Sequence, residues 1–301
     1  MSKNQQSRRT FINNLTIATG GVCLIPTLVS SSCTAAALPG DKMKLGLVTY
    51  NWGKDWDIPT IIKNCTESGV LGVELRVEHA HGVGLGISEA EMADVKKMFD
   101  DSPIEVVGMG TNEEFDNPDP DILMGRIENA KEFVRISAGI GGSGVKVKPN
   151  GFHEGVPHEK TLEQIGKSLN TLGEYAADFG QMIRLEVHGS GTQELPAIKE
   201  IMDHVTSTNV GACWNCNDQD LNGEGLEYNF NLVKDRFADI VHIRELNIGE
   251  YPYQDLMNLF VGMDYEGWIL LECREKPDDT VLAMVEQKKI FQEMKENARE
   301  L

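Results

Sequence analysis

The stretch Ile183-Arg184-Leu185-Glu186-Val187-His188-Gly189 sets charged or ionisable side chains against aliphatic ones at a period of two. A β-strand sends alternate residues to opposite faces, so Arg184, Glu186 and His188 share one face and Ile183, Leu185 and Val187 the other. A carboxylate such as Glu186, held in an enclosed polar space, is a ligand for a hard divalent cation. Beside a sugar carbonyl, a cation and a carboxylate together do one kind of chemistry. The cation stabilises the charge that develops on oxygen, and the carboxylate takes a proton from the neighbouring carbon. We read Glu186 as a metal ligand in such a site.

That chemistry needs a scaffold that gathers polar strand faces. Strands are expected to begin near residues 43, 72, 104, 143, 182, 210, 240 and 268, each followed by a helix. The helix expected over 158–179 shows the pattern best, with Leu162, Ile165, Leu169, Leu172, Tyr175 and Phe179 on one stripe at spacings of three and four. Glycines at 69, 141, 180 and 267 stand where helices end in a left-handed residue. Eight βα units at roughly 30-residue spacing predict a single-domain (β/α)₈ TIM barrel over residues 38–301. A doubly wound open sheet would want a glycine-rich phosphate turn after its first strand, and Tyr50-Asn51-Trp52-Gly53 is not one.

In such a barrel the aliphatic faces pack on helices and the polar faces point into the lumen. The same parity then selects Glu74, Arg76, Lys146, Lys148, Arg184, Glu186, His188, His242, Arg244 and Glu272 as lumen groups. Buried charges are costly unless paired or bound to metal, so this many polar groups imply a site or an internal ion-pair network. Arg184, deep in its strand, reads as an internal ion pair, and Lys146 as an ion pair or a site group. Glu74 is a structural pair, a substrate group or a group that supports a ligand from behind. Lys148 is a cation beside the developing oxyanion. His81, with His79 in the same loop, is a candidate sugar contact, as are His188, Asn217 and Arg244. Trp52, in the first loop, either stacks on a sugar ring or packs within its loop.

The chain has 301 residues, 41% of them hydrophobic, enough for one large core. A net charge of −19 excludes a broad phosphate-backbone partner, because nucleic-acid affinity rests on Lys and Arg contacts. No apolar run of about 18 residues forms a membrane span. Ser7-Arg8-Arg9-Thr10-Phe11-Ile12, an apolar stretch from Leu15 to Val29 and Ala35-Ala36-Ala37 resemble a twin-arginine signal peptide covering residues 1–37. Export to the periplasm is the expected destination, with lipid attachment at Cys33 as a second reading. Residues 1–37 hold three basic groups and no acid, so the remainder carries 25 basic and 47 acidic groups, about −22. Cys65, Cys213, Cys216 and Cys273 are expected as thiols. Cys213 and Cys216 have no second pair at zinc-ribbon spacing.

Leu185-Glu186-Val187-His188-Gly189, Val210-Gly211-Ala212-Cys213-Trp214-Asn215, Val241-His242-Ile243 and Gly267-Trp268-Ile269-Leu270-Leu271-Glu272 together resemble the last four strands of the xylose-isomerase-like sugar isomerase/epimerase family. The resemblance implies a barrel holding one divalent ion on Glu186, Asn215, His242 and Glu272. It also implies that Glu186 and Glu272 form the acid–base pair. Mn²⁺ is the expected ion, with Mg²⁺, Zn²⁺ or Co²⁺ as alternatives. One departure stands out: the family usually places Asp where this chain has Asn215, and a His three residues later is here Asp218. An amide oxygen still ligates a hard cation, but without charge.

The implied activity is isomerisation or epimerisation of a free sugar or keto-sugar through an enediolate. Elimination from a 3-keto-glycoside shares its first half and is the alternative enzyme. A non-catalytic sugar-binding barrel, in which Asn215 has weakened the site, is the third reading. The expected partner is a small carbohydrate, with self-association into a homo-oligomer left open.

Overall fold

The computed structural model describes residues 37–301; the twin-arginine pattern and Cys33 lie outside the described residues. Eight strands and eight helices alternate. They run β1 (Met43–Val48), α1 (Ile58–Ser68), β2 (Gly72–Arg76), α2 (Glu89–Asp100), β3 (Glu105–Glu114), α3 (Pro120–Gly139), β4 (Gly144–Lys148) and α4 (His158–Ala177), followed by β5 (Met182–Glu186), α5 (Leu195–Asp203), β6 (Val210–Asn215), α6 (Leu226–Val233), β7 (Phe237–Ile243), α7 (Tyr253–Gly262), β8 (Gly267–Leu271) and α8 (Thr280–Arg299). Each strand pairs in parallel with the next, and β8 closes on β1, giving the (β/α)₈ barrel.

Local sequence explains the boundaries. Asp57 caps α1 by accepting from the Thr60 amide, and Gly69 ends it at φ 70°. Ser88 and Glu91 form a reciprocal capping box at the start of α2. Gly141 and Gly180 take the left-handed conformation expected of them, at φ 87° and 63°. Gly267 does not. After α7 the left-handed residue is Asp264, at φ 52°, and Gly267 opens β8, where a Cβ would stand 2.5 Å from the Asp239 carbonyl oxygen.

Side-chain parity divides the molecule into two apolar layers. Leu45, Leu47, Val73, Leu75, Val145, Val147, Ile183, Leu185, Val241, Ile269 and Leu271 face the helices and join one large core. A separate cluster of Val48, Val107, Cys213, Ile240, Trp268 and Leu270 shares parity with the polar residues and fills the lumen. Trp268 fits there because Gly72 lacks a side chain; a Cβ at residue 72 would lie 2.3 Å from its ring. All four cysteines of the described residues are buried free thiols.

Arg184 also lies in the lumen, fully buried beneath the mouth. Its Nε and Nη2 donate to the two carboxylate oxygens of Asp239 at 2.8 and 2.7 Å, Nη1 donates to the Val107 carbonyl, and Nη2 also reaches Ser143 Oγ. Four of the five N–H groups of the guanidinium are engaged, and Arg184 ties strands together below the mouth.

Candidate metal centre

Glu186 ends β5, Asn215 ends β6, His242 lies one residue before the end of β7, and Glu272 follows β8 directly. These are the C-terminal ends of four consecutive strands, where barrel enzymes carry their chemistry. Register sets Asn215 beside His242 and Glu186 beside Cys213. One ligand atom each from Glu186, His242 and Glu272 lies within 4.8 Å of the other two. Nδ1 of His242 stands 3.6 Å from Glu186 Oε1 and 3.9 Å from Glu272 Oε2. Asn215 Nδ2 donates to Glu186 Oε1 at 3.0 Å, which places the amide at the same point; a half-turn about its terminal bond would present Oδ1 there instead.

The donors fit a divalent cation. Both ring nitrogens of His242 are buried and make no hydrogen bond. Behind the ring, Nε2 lies 3.3 Å from Oε1 of Glu74, a carboxylate with no exposed surface. A carboxylate on the far nitrogen fixes which nitrogen of a histidine is free for metal. Two buried carboxylates, Glu74 and Glu186, and the partly exposed Glu272 surround His242, with one ammonium, Lys146, in direct contact with Glu186. Carboxylates held this close together are costly without a positive partner between them, and a cation would supply one.

Lys146 sharpens the electrostatics. Its Nζ donates to Glu186 Oε2 at 2.7 Å and to the Thr111 carbonyl at 3.3 Å, and it is 1% exposed. Burial pushes the Glu186 carboxyl up, but the Lys146 ammonium and His242 outweigh it and hold that carboxyl well below the usual range. At Glu272 the balance runs the other way: burial pushes its pKa up and the neighbouring Glu186 adds to the effect, although His242 and Lys146 pull it down. The two carboxyls thus sit in environments that push their proton affinities apart, the arrangement an acid–base pair needs.

A cavity of about 240 Å³ opens above these groups and is lined by Tyr50, Arg76, Lys146, Lys148, Glu186, His188, Gln193, Asn215, Asn217, Glu272 and Arg274. Lys148 is on its wall, with Nζ 3.2 Å from Asn112 Oδ1, and burial lowers its pKa. His188 lies just past β5, and its buried Nδ1 makes no hydrogen bond. Asn217 donates from Nδ2 to the Val187 carbonyl at 2.8 Å. Arg244 stands behind it, with Nη2 3.4 Å from Asn217 Oδ1, and does not line the cavity.

Besides Arg244, three more expected sugar contacts are placed otherwise. Trp52 is 5% exposed, packs in the main core and donates its indole N–H to the Glu275 carbonyl at 2.7 Å. Both ring nitrogens of His81 are engaged: Nε2 donates to the Arg76 carbonyl and Nδ1 accepts from the Val83 amide, while burial brings its pKa down to about 4. Its neighbour His79 likewise spends Nδ1 on the Thr49 carbonyl. Glu74 is wholly buried beneath His242 and does not line the cavity. Conversely, the sequence did not single out Tyr50, Gln193 and Arg274. Each lies on a loop past a strand end, where period-two alternation carries no signal.

Residues 62–298 match the protein family described as xylose isomerase-like TIM barrel. No curated protein matches the chain. Among solved structures, an L-ribulose 3-epimerase superposes with a TM-score of 0.74 at 12% identity, covering 86% of this chain and 96% of that one. A 3-keto-D-glucoside 4-epimerase from E. coli gives 0.69 at 16% identity, over 84% of this chain and all of the other. An IOLI protein with a bound zinc atom gives 0.67 at 16% identity, over 85% and 98%. At these identities the likeness is one of fold.

Proposed function

The chain belongs to the xylose isomerase-like TIM barrel family, and on that premise we propose that it is a divalent-metal-dependent sugar isomerase or epimerase acting on a free sugar or keto-sugar. The observation that carries the reading is the convergence of Glu186, His242 Nδ1 and Glu272 at one point of the barrel mouth, with Glu74 behind the imidazole. Two structural neighbours are sugar epimerases and a third holds zinc, which supports both the substrate class and the cation.

Glu186, His242, Glu272 and the Asn215 amide oxygen would hold the ion; Mn²⁺ suits this oxygen-rich set, and Mg²⁺, Zn²⁺ or Co²⁺ could replace it. When bound, the ion supplies the positive charge that stabilises an enediolate. Glu186, charged and held by Lys146, takes the proton from the carbon beside the carbonyl. Glu272, just past the end of β8, returns a proton, and return to the other face inverts that carbon. Lys148 and Arg76 line the wall as fixed cations beside developing negative charge. His188 and Asn217 face the same cavity and bind hydroxyl groups.

Export by the twin-arginine route, proposed on Ser7–Ile12 and the stretch after it alone, would deliver the protein already folded. It also favours unphosphorylated sugars as substrates. The test is incubation of Mn²⁺-loaded protein with ketoses in D₂O. Deuterium should enter at the carbon beside the carbonyl, and Glu186→Gln should abolish this. A loaded protein that incorporates none with any ketose or keto-glycoside is not this enzyme.

A further inference from the structure

A second cavity, of about 310 Å³, lies at the same end of the barrel between the β2–α2 loop, the end of β3 and α3. Three side chains separate it from the metal pocket. Asn112 Oδ1 accepts from Arg76 Nη2 at 2.6 Å and lies 3.2 Å from Lys148 Nζ. Arg76 and Lys148 line the smaller cavity, and Asn112 lines the larger. These three side chains, at the ends of β2, β3 and β4, stand between the two spaces where β3 ends.

The larger cavity is built on two chemistries. Val77, Val83 and Phe133 give it an apolar wall, and Leu85, 50% exposed, stands at its lip. Glu113 and Arg126 give it a polar edge. Glu113 is 5% exposed, its Oε2 makes no hydrogen bond, and the nearest cation, Arg126 Nη1, is 3.5 Å away. A buried carboxylate oxygen left without a donor is costly, and a ligand hydroxyl would satisfy it. Glu78 and Glu113 outnumber Arg126 on this edge, so a phosphate or carboxylate is unsuited to it. An apolar wall beside hydroxyl-seeking groups matches a neutral pyranose, whose C–H face is apolar and whose rim carries hydroxyls. The volume falls at the small end of ligand sites, about 300 Å³ and upward.

We propose that this cavity is a second subsite, which takes the glycosyl unit of a disaccharide or glycoside whose keto-sugar ring lies at Glu186, His242 and Glu272. The inference rests on the epimerase reading and extends it to the substrate's second ring. A linkage passing over Asn112 would join the two units, and the Arg76–Asn112–Lys148 row would then contact the bridging region.

The test uses the full Mn²⁺-loaded chain with D-fructose and with the ketose disaccharides turanose, maltulose and isomaltulose. Affinity is read by calorimetry and exchange by deuterium incorporation. At least one disaccharide should bind about 10-fold or more tightly than D-fructose, and Glu113→Gln or Arg126→Ala should cut that margin about 5-fold or more, as expected for losing a hydrogen-bonding partner of the ligand. Leu85→Asp, at an exposed lip position that the fold does not need, should reduce the margin in the same direction. Exchange with D-fructose but no disaccharide margin, or a margin that all three variants leave intact, would overturn the subsite while leaving the epimerase reading in place. Absence of binding and exchange with every sugar would defeat that reading, and the subsite with it.

Discussion

His242 Nε2 lies 3.3 Å from Glu74 Oε1, while Nδ1 of the same ring faces Glu186 and Glu272. Glu74 lines neither cavity, yet it is the carboxylate nearest the far nitrogen of that ring and the group placed to orient it. Glu74→Gln should leave the barrel folded and weaken Mn²⁺ binding by about 10- to 100-fold, the usual effect of removing the group that orients a ligating histidine. Competition against a fluorescent chelator measures this directly. An unchanged affinity would mean that the ring is held by packing alone.

Lys146 and Glu186 form a pair sealed from solvent, at 1% and 2% exposure. Lys146→Met leaves the Glu186 charge buried and uncompensated in the metal-free protein, which should cost about 3–5 kcal/mol of stability. Mn²⁺ would supply the missing positive charge. Urea unfolding should therefore show a large loss without metal and a clearly smaller one with saturating Mn²⁺. Equal losses in both conditions would show that the cation and Lys146 do not act on the same carboxylate.

Asp220 gives a pH signature away from the metal ligands. It is fully buried, accepts from the Tyr251 hydroxyl at 2.7 Å and the Asn217 amide at 3.0 Å, and burial pushes its carboxyl up to about 7. Its folded pKa lies above the unfolded one, so the contribution to stability is fully present below about pH 4 and is lost as pH rises toward 7, at roughly 1.4 kcal/mol per unit. Asp220→Asn keeps an acceptor for both donors and removes the titration. It should flatten this part of the stability–pH profile between pH 4 and 7 and gain about 1–3 kcal/mol at pH 8. A variant with the wild-type slope would contradict the assignment.

The Arg184–Asp239 pair is structural. Asp239→Ala would strip Arg184 of its carboxylate partner. Because Asp239 is 39% exposed and water can take its place, the loss should be about 2–3 kcal/mol, below that for a sealed pair. Mn²⁺ affinity should stay within about 2-fold of wild type, since no ligand or ligand partner changes. A larger drop would mean that the lower lumen transmits strain to the mouth.

These residues show how far the sequence could be read. Val210–Asn215 is the expected strand to the residue, and the polar members of β5, β7 and β8 were assigned to the lumen from parity alone. Parity gives the direction of a side chain but not its depth or partner. Lys146 and Arg184 looked alike, yet one touches a proposed metal ligand and the other sits below the mouth. Trp268 shares parity with Glu272, and its place in the lumen depends on Gly72 two strands away, which local pattern does not show. The loop residues Trp52 and His81 looked available because loops usually are; one is core and the other is hydrogen-bonded on both sides. β3 runs three residues past its expected end, through a register shift between Gly110 and Glu114. That irregularity carries Asn112 and Glu113 to the second cavity, and Asn-Glu-Glu has no strand signature.

The central claim is that the ends of β5, β6, β7 and β8 hold one divalent cation through Glu186, Asn215, His242 and Glu272. Titration of metal-free protein with Mn²⁺, followed by the paramagnetic resonance signal of the free ion, tests it most directly. The account predicts saturable loss of that signal at about one ion per chain. It also predicts that Glu272→Gln and His242→Ala each weaken the binding by about 10-fold or more while the protein stays folded. A chain that binds no Mn²⁺, Mg²⁺, Zn²⁺ or Co²⁺, or binds them as well without these side chains, would contradict it.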